Sequence, residues 1–213
     1  MATFQGLIEE IESELNKGGS TLITDHVKEA INDAVAFYEV YPFRFNQGFS
    51  ASITTVSGTE TYDLPADFLV WRRGQILYSA TDLQRLELLD FDDYQEIRED
   101  SNAADGQSDY CAIYDDDLYL YPTPNGAYTV RLYYTKRLAE VPLAANSDTN
   151  AWTNRARMLI KSRAKYLLAL HRVQNADWAS LFASAERAEL QSLNSEHGRQ
   201  NAPRHVIPDR AFL

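Results

Sequence analysis

The 213-residue chain has a single cysteine and two methionines, and no apolar run near the roughly 20 residues that a membrane-crossing helix needs. With Cys111 alone, an internal disulfide and a thiolate metal cluster are both excluded. The first residues, MATFQGLIEEIESEL, are acidic and amphipathic rather than a secretory signal, so a cytoplasmic site of synthesis is expected. Positive charge is also scarce, with 20 Lys and Arg against 31 Asp and Glu, a net charge of −11. General nucleic-acid binding needs a basic stripe that displaces counterions, and this balance disfavours it. Internal repeats and low-complexity tracts are missing too.

What is present is unevenly placed. Residues 60–126 hold 16 acidic against 4 basic residues, a net of −12, whereas residues 150–213 hold 10 basic against 5 acidic, a net of +5. Such segregation suits a molecule that meets one neighbour with an acidic face and another with a basic end. Thirteen tyrosines point to amphipathic surfaces, because the ring buries while the hydroxyl stays wet.

Two hydrophobic periods divide the chain. Phe4, Leu7, Ile8, Ile11 and Leu15 recur every three or four residues and predict a helix over 3–16, ended by Gly18-Gly19-Ser20. Thr24 or Asp25 caps a second helix, with Val27, Ile31, Ala34, Val35 and Tyr38 on one face, stopped before Pro42. From 43 the period becomes two. Phe49 to Thr55, Tyr62 to Pro65 and Phe68 to Tyr78 read as strands, and Asp90 caps a short acidic helix to Arg98. Residues 110–135 alternate on both sides of turns at Asp115-Asp116-Asp117 and at Pro122 to Gly126, which predicts a three-stranded antiparallel meander. Helical spacing then returns over 152–173, and again after Asn175 with Trp178, Leu181, Phe182, Ala185 and Ala188 assigned to the inner face. From His197 two prolines and no periodicity predict an extended arm.

The expected fold is therefore α+β. Residues 1–42 and 137–196 form a four-helix bundle body, 43–136 an inserted antiparallel β domain, and 197–213 an extended C-terminal arm.

Chemistry is sparse. Asp115-Asp116-Asp117 lacks the alternating ligands, central glycine and distal glutamate of a calcium loop and reads as a turn. Asp90, Asp92, Asp93 and Glu96 fit a helix N-terminus better than an acid–base pair. His26, His171, His197 and His205 show no metal spacing, and Cys111 sits in a strand as a small core residue. No catalytic residue, metal or cofactor is expected. The partner-binding candidates are Arg155 and Arg163 on a basic helix, and Arg199, Arg204, Val206, Ile207, Arg210, Phe212 and Leu213 in the arm.

The sequence Tyr62-x-Leu64-Pro65-x-Asp67-Phe68, then Leu118-Tyr119-Leu120-Tyr121-Pro122-x-Pro124, then Tyr128 and Leu132-x-Tyr134, followed by the helical hairpin from Trp152, resembles the head–tail adaptor proteins of tailed bacteriophages. The likeness lies in the order of these patterns over residues 3–195 and brings no catalytic residue with it. It implies a virion structural protein: a homo-oligomeric ring, typically of twelve copies, between the portal protein and the downstream tail or nozzle protein. DNA would pass through its lumen without sequence-specific binding. A second reading is an acidic, Tyr-rich β module on a helical stalk, binding carbohydrate or another ligand through Tyr119, Tyr121 and Tyr133. A third is an enzyme using the carboxylates from Asp90 to Glu96.

Overall fold

The computed structural model describes residues 3–16, 24–100, 104–139 and 141–201. In chain order the elements are α1 (Phe4–Asn16), α2 (Thr24–Glu39), β1 (Gln47–Thr54), β2 (Thr61–Asp63), β3 (Phe68–Leu77), β4 (Leu83–Leu88) and α3 (Phe91–Asp100). They continue with β5 (Tyr110–Tyr114), β6 (Asp117–Tyr121), β7 (Thr129–Lys136), α4 (Ala151–Asn154), α5 (Arg157–Leu168) and α6 (Ala176–Asn201). The chain divides into two compact units, one helical (1–38, 43–45 and 139–213) and one built on the sheet (39–42 and 46–138).

In the helical unit, α1 buries Phe4, Leu7, Ile8, Ile11 and Leu15, the five positions its spacing singles out. Its first free N–H groups find acceptors in the loop before α4: Phe4 donates to the Asp148 carbonyl at 2.9 Å and Gln5 to that of Asn146 at 3.1 Å. The same loop is clamped to α2 by the Asn32 amide, which donates to the Leu143 carbonyl (3.0 Å) and accepts from the Leu143 N–H (2.8 Å). Asn150 and Thr153 form a reciprocal capping box that starts α4 and drives Trp152 inward, edge-on to Phe43 and Phe45.

The body is not a four-helix bundle, although the α+β class is right. Six α-helices occur among the described residues, and one of them, α3, belongs to the sheet unit. The single helix expected over 152–173 is divided: Ala156 leaves helical geometry (φ −99°, ψ 15°), and Ala169–Val173 is a π-helical segment ended by Gln174 in the left-handed region. Trp152, Ala156, Leu159 and Ile160 are all buried, so the apolar spacing runs straight through the break and hides it.

α6 also departs from expectation. Asn175 does cap it, accepting from the Trp178 N–H at 3.0 Å. Its buried positions are Ala179 and Glu186, however, while Leu181 is 63% exposed, Ala185 and Ala188 are exposed, and Trp178 is half-buried. The apolar residues of this helix mark a face that its own unit leaves largely open. α6 continues to Asn201, past the boundary expected at His197, and residues 202–213 of the expected arm lie outside the described residues.

The second unit carries one seven-stranded sheet in the order β1-β7-β3-β4-β5-β6-β2, antiparallel except for the β4–β5 pair. It is thus mixed, and not an antiparallel domain. The expected meander over 110–135 is corrected as well. β5 and β6 form a tight hairpin, with Asp115 and Asp116 both at positive φ (51° and 65°), as a two-residue turn that matches strand twist requires. β7 does not return beside β6; it runs between β1 and β3. The two prolines of the 122–128 link cannot donate to a ladder, and period-two alternation identifies a strand without naming its partner.

One face of the sheet holds the core, with Ile53, Ile76, Leu86, Leu118, Leu120, Val130 and Leu132. Gly74 has a packing reason: a Cβ there would stand 2.6 Å from Trp71 Cζ2, so only glycine admits the indole over this strand. On the opposite face α3 covers β5 and β6. Its Tyr94 is fully buried and donates to the Leu120 carbonyl (3.2 Å), and Phe91 stacks on Tyr114 at 4.2 Å.

Candidate functional site

The basic residues of the C-terminal helices mostly face acidic groups of their own chain. Arg157 reaches Glu10 at 2.6 Å, Lys161 lies 3.5 Å from Glu10 and 3.0 Å from Glu14, Lys165 is 2.7 Å from Glu14, and Arg172 is 3.1 Å from Glu29. The hydrogen bond from Arg157 holds the Glu10 carboxyl below its ordinary value of 4.5. At Glu14 burial works upward, but the hydrogen bonds from Lys165 and Lys161 outweigh it and the net shift is down. A carboxylate depressed in the folded state adds stability that is complete above its unfolded value and is lost as pH falls through the folded one. The melting temperature is accordingly expected to drop below about pH 4.5, and to drop less steeply in Glu10→Gln/Glu14→Gln, as scanning calorimetry from neutral pH to pH 3 would record. The effect is modest, because both glutamates keep more than a third of their side-chain exposure and solvent screens such pairs.

Of the residues expected to bind a partner, Arg163 is held within the helical unit. Its guanidinium is 3.3 Å from the buried Glu186 and lies over the Phe37 ring at 4.0 Å. Arg155 follows α4, is exposed and has no ion pair among the described residues. Arg199 falls within α6, and Arg204, Val206, Ile207, Arg210, Phe212 and Leu213 lie outside the described residues. The structure therefore does not bring this set together.

Two of the candidate groups have structural roles. Asp90 accepts from the Asp92 N–H at 3.2 Å as the cap of α3. Cys111 is fully buried, and burial raises its thiol to about 12, far from the reactive range. Among the described residues no three His, Cys, Asp or Glu side chains are grouped to hold a metal, and no helix is long and apolar enough to cross a membrane. Tyr119 and Tyr121 turn toward α3, with ring centroids 5.9 and 6.3 Å from that of Tyr94. Two of the three tyrosines proposed to stack on a sugar are thereby partly buried.

The outward face of the sheet shows what the sequence reading passed over. Arg73 pairs in register with Tyr133, which pairs with Phe49; Gln75 pairs with Arg85 on one side and Arg131 on the other. The Arg73 guanidinium lies 5.9 Å from the Tyr133 ring centre, and the Phe49 and Tyr133 rings are 5.1 Å apart. Arg72, at a bulge of β3, adds a fourth positive charge beside them. The available signal was the pair Arg72-Arg73 inside a strongly acidic stretch.

The family model of the SU10 adaptor protein matches residues 2–207. The chain belongs to the SU10 adaptor protein family. This membership agrees with the resemblance read from residues 62–68, 118–134 and the hairpin from Trp152, and it assigns a phage structural adaptor role in the virion. A comparison with curated proteins found no match. Membership of an adaptor family implies interaction with other phage head and tail proteins.

Proposed function

We propose that this adaptor assembles as a homo-oligomeric ring, of twelve copies as in the family it resembles, that joins the portal protein to the downstream tail and surrounds the DNA exit channel. The observation that carries this reading is the family match over residues 2–207. The segregation of charge supports it, since a ring between two unlike neighbours needs two unlike faces. An acidic chain at −11 also suits a lumen through which DNA slides without being held. In this proposal residues 202–213, with Arg204, Val206, Ile207, Arg210, Phe212 and Leu213, anchor in a groove of the portal, with Arg199 at the end of α6 and Arg155 as flanking contacts.

The deciding experiment is a mass measurement and negative-stain imaging of the purified chain with and without portal rings. Closed rings that bind portal, and lose at least about tenfold in affinity when residues 202–213 are deleted, are the expected result. A chain that stays monomeric in both samples overturns the ring, and undiminished binding by the truncated ring removes the arm from the junction.

A further inference from the structure

Five basic residues of the helical hairpin, Arg157, Lys161, Arg163, Lys165 and Arg172, are matched by carboxylates of their own chain, but those on the outward face of the sheet are not. Arg72, Arg73, Arg85 and Arg131 form no ion pair with any described residue. Arg72 and Arg73 lie beside Tyr133 (37% exposed), which packs on the exposed ring of Phe49 (57%). A cavity of about 500 Å³ lies along Arg73 and Arg85, with Glu87 also on its wall, and another of about 370 Å³ lies between Arg72, Arg73 and Tyr133. Unpaired guanidiniums around exposed aromatic rings have the composition of the energetic centre of a protein interface.

The complementary surface exists on the same unit. α3 exposes Asp92, Asp93, Glu96 and Glu99, and beside it Tyr114 is 55% exposed while stacking on Phe91. α3 covers β5 and β6, whereas the arginines stand on β7, β3 and β4. Among the described residues no carboxylate of α3 pairs with these arginines within one copy.

We propose that the Arg73/Arg85/Arg131 face of one copy docks on the acidic α3 face of a second copy of this chain, through Asp92, Asp93 and Glu96. The two surfaces differ, so the contact is heterologous and leaves an unused surface of each kind for the next copy, the arrangement that closes into a ring or continues as a filament. The inference rests on the ring proposed above and names the contact that builds it.

Reciprocal charge reversal in the full chain tests it, with oligomer mass read by native mass spectrometry and folding checked by circular dichroism. Arg73→Glu/Arg131→Glu and Asp93→Lys/Glu96→Lys should each raise the concentration needed for assembly by roughly tenfold or more. Their equimolar mixture should assemble again, because each reversed face finds a reversed partner. Two reversals that both assemble like the parent chain overturn the contact while leaving the ring standing. A parent chain that stays monomeric at every concentration overturns the ring and the contact with it. Loss of retention on duplex DNA in the arginine variant, with self-assembly intact, would make the face a polyanion surface and overturn the proposal in that way.

Discussion

Replacing Trp152 by alanine is expected to lower the stability of the helical unit by about 3–5 kcal/mol, among the largest effects of any single substitution outside the sheet. The indole is 1% exposed and meets Phe43 at 5.8 Å and Phe45 at 4.9 Å, both edge-on. Truncation removes its buried area, leaves a cavity that the rigid Asn150–Thr153 capping box prevents from closing, and loses two aromatic contacts. For a chain of this size the melting temperature should fall by roughly 10 °C. Trp152→Phe provides the control. The indole Nε1 is buried without a hydrogen-bond partner among the described residues, so losing that N–H costs little, and phenylalanine should retain most of the stability. A calorimetric trace for Trp152→Ala that overlays the parent would show that the indole does not anchor this unit.

Glu186→Ala is expected to be nearly as damaging by a different route. The Glu186 carboxylate is buried on α6, where it accepts from the Tyr38 hydroxyl at 2.5 Å and from Arg163 at 3.3 Å, tying α6 to α2 and α5. Removing it leaves a guanidinium, four-fifths buried, without its carboxylate. Breaking one side of a buried pair costs about 3–5 kcal/mol, and the lower end applies here because the Phe37 ring still faces the Arg163 guanidinium. Arg163→Met/Glu186→Leu, which removes both charges and keeps the volume, should recover much of the loss. If the single and the double variant melt together, the cost lies in packing and not in the stranded charge.

The elements and their faces were largely legible in the sequence, because they depend on local periodicity. Five apolar residues at three- and four-residue spacing fix the buried side of α1, Asn175 caps α6, Asp90 caps α3, and the alternation of Leu118 and Leu120 with Tyr119 and Tyr121 sets the two sides of β6. The order of these patterns also carried the family resemblance that the match over 2–207 agrees with. The β5–β6 pair was legible from its turn, but the partners of β7 were not. Period two says which way a side chain points, while the choice of β3 and β1 rather than β6 as neighbours of β7 is made by long-range closure of the sheet.

The same limit governs charge. Sequence shows that Arg157, Lys161 and Lys165 form a basic run, but only the packing of α1 shows that Glu10 and Glu14 already answer it. Arg73, Arg85 and Arg131 are far apart in the chain and become one unanswered surface only when β3, β4 and β7 lie side by side. Glu186 reads as one more charge on a solvated helix until Tyr38 and Arg163 close over it. Local spacing determined the elements, since backbone hydrogen bonding and side-chain direction repeat over a few residues. Which charges stay free and which rings stay exposed was decided by contacts between segments distant in sequence, because burial and ion pairing depend on neighbours that the fold alone supplies.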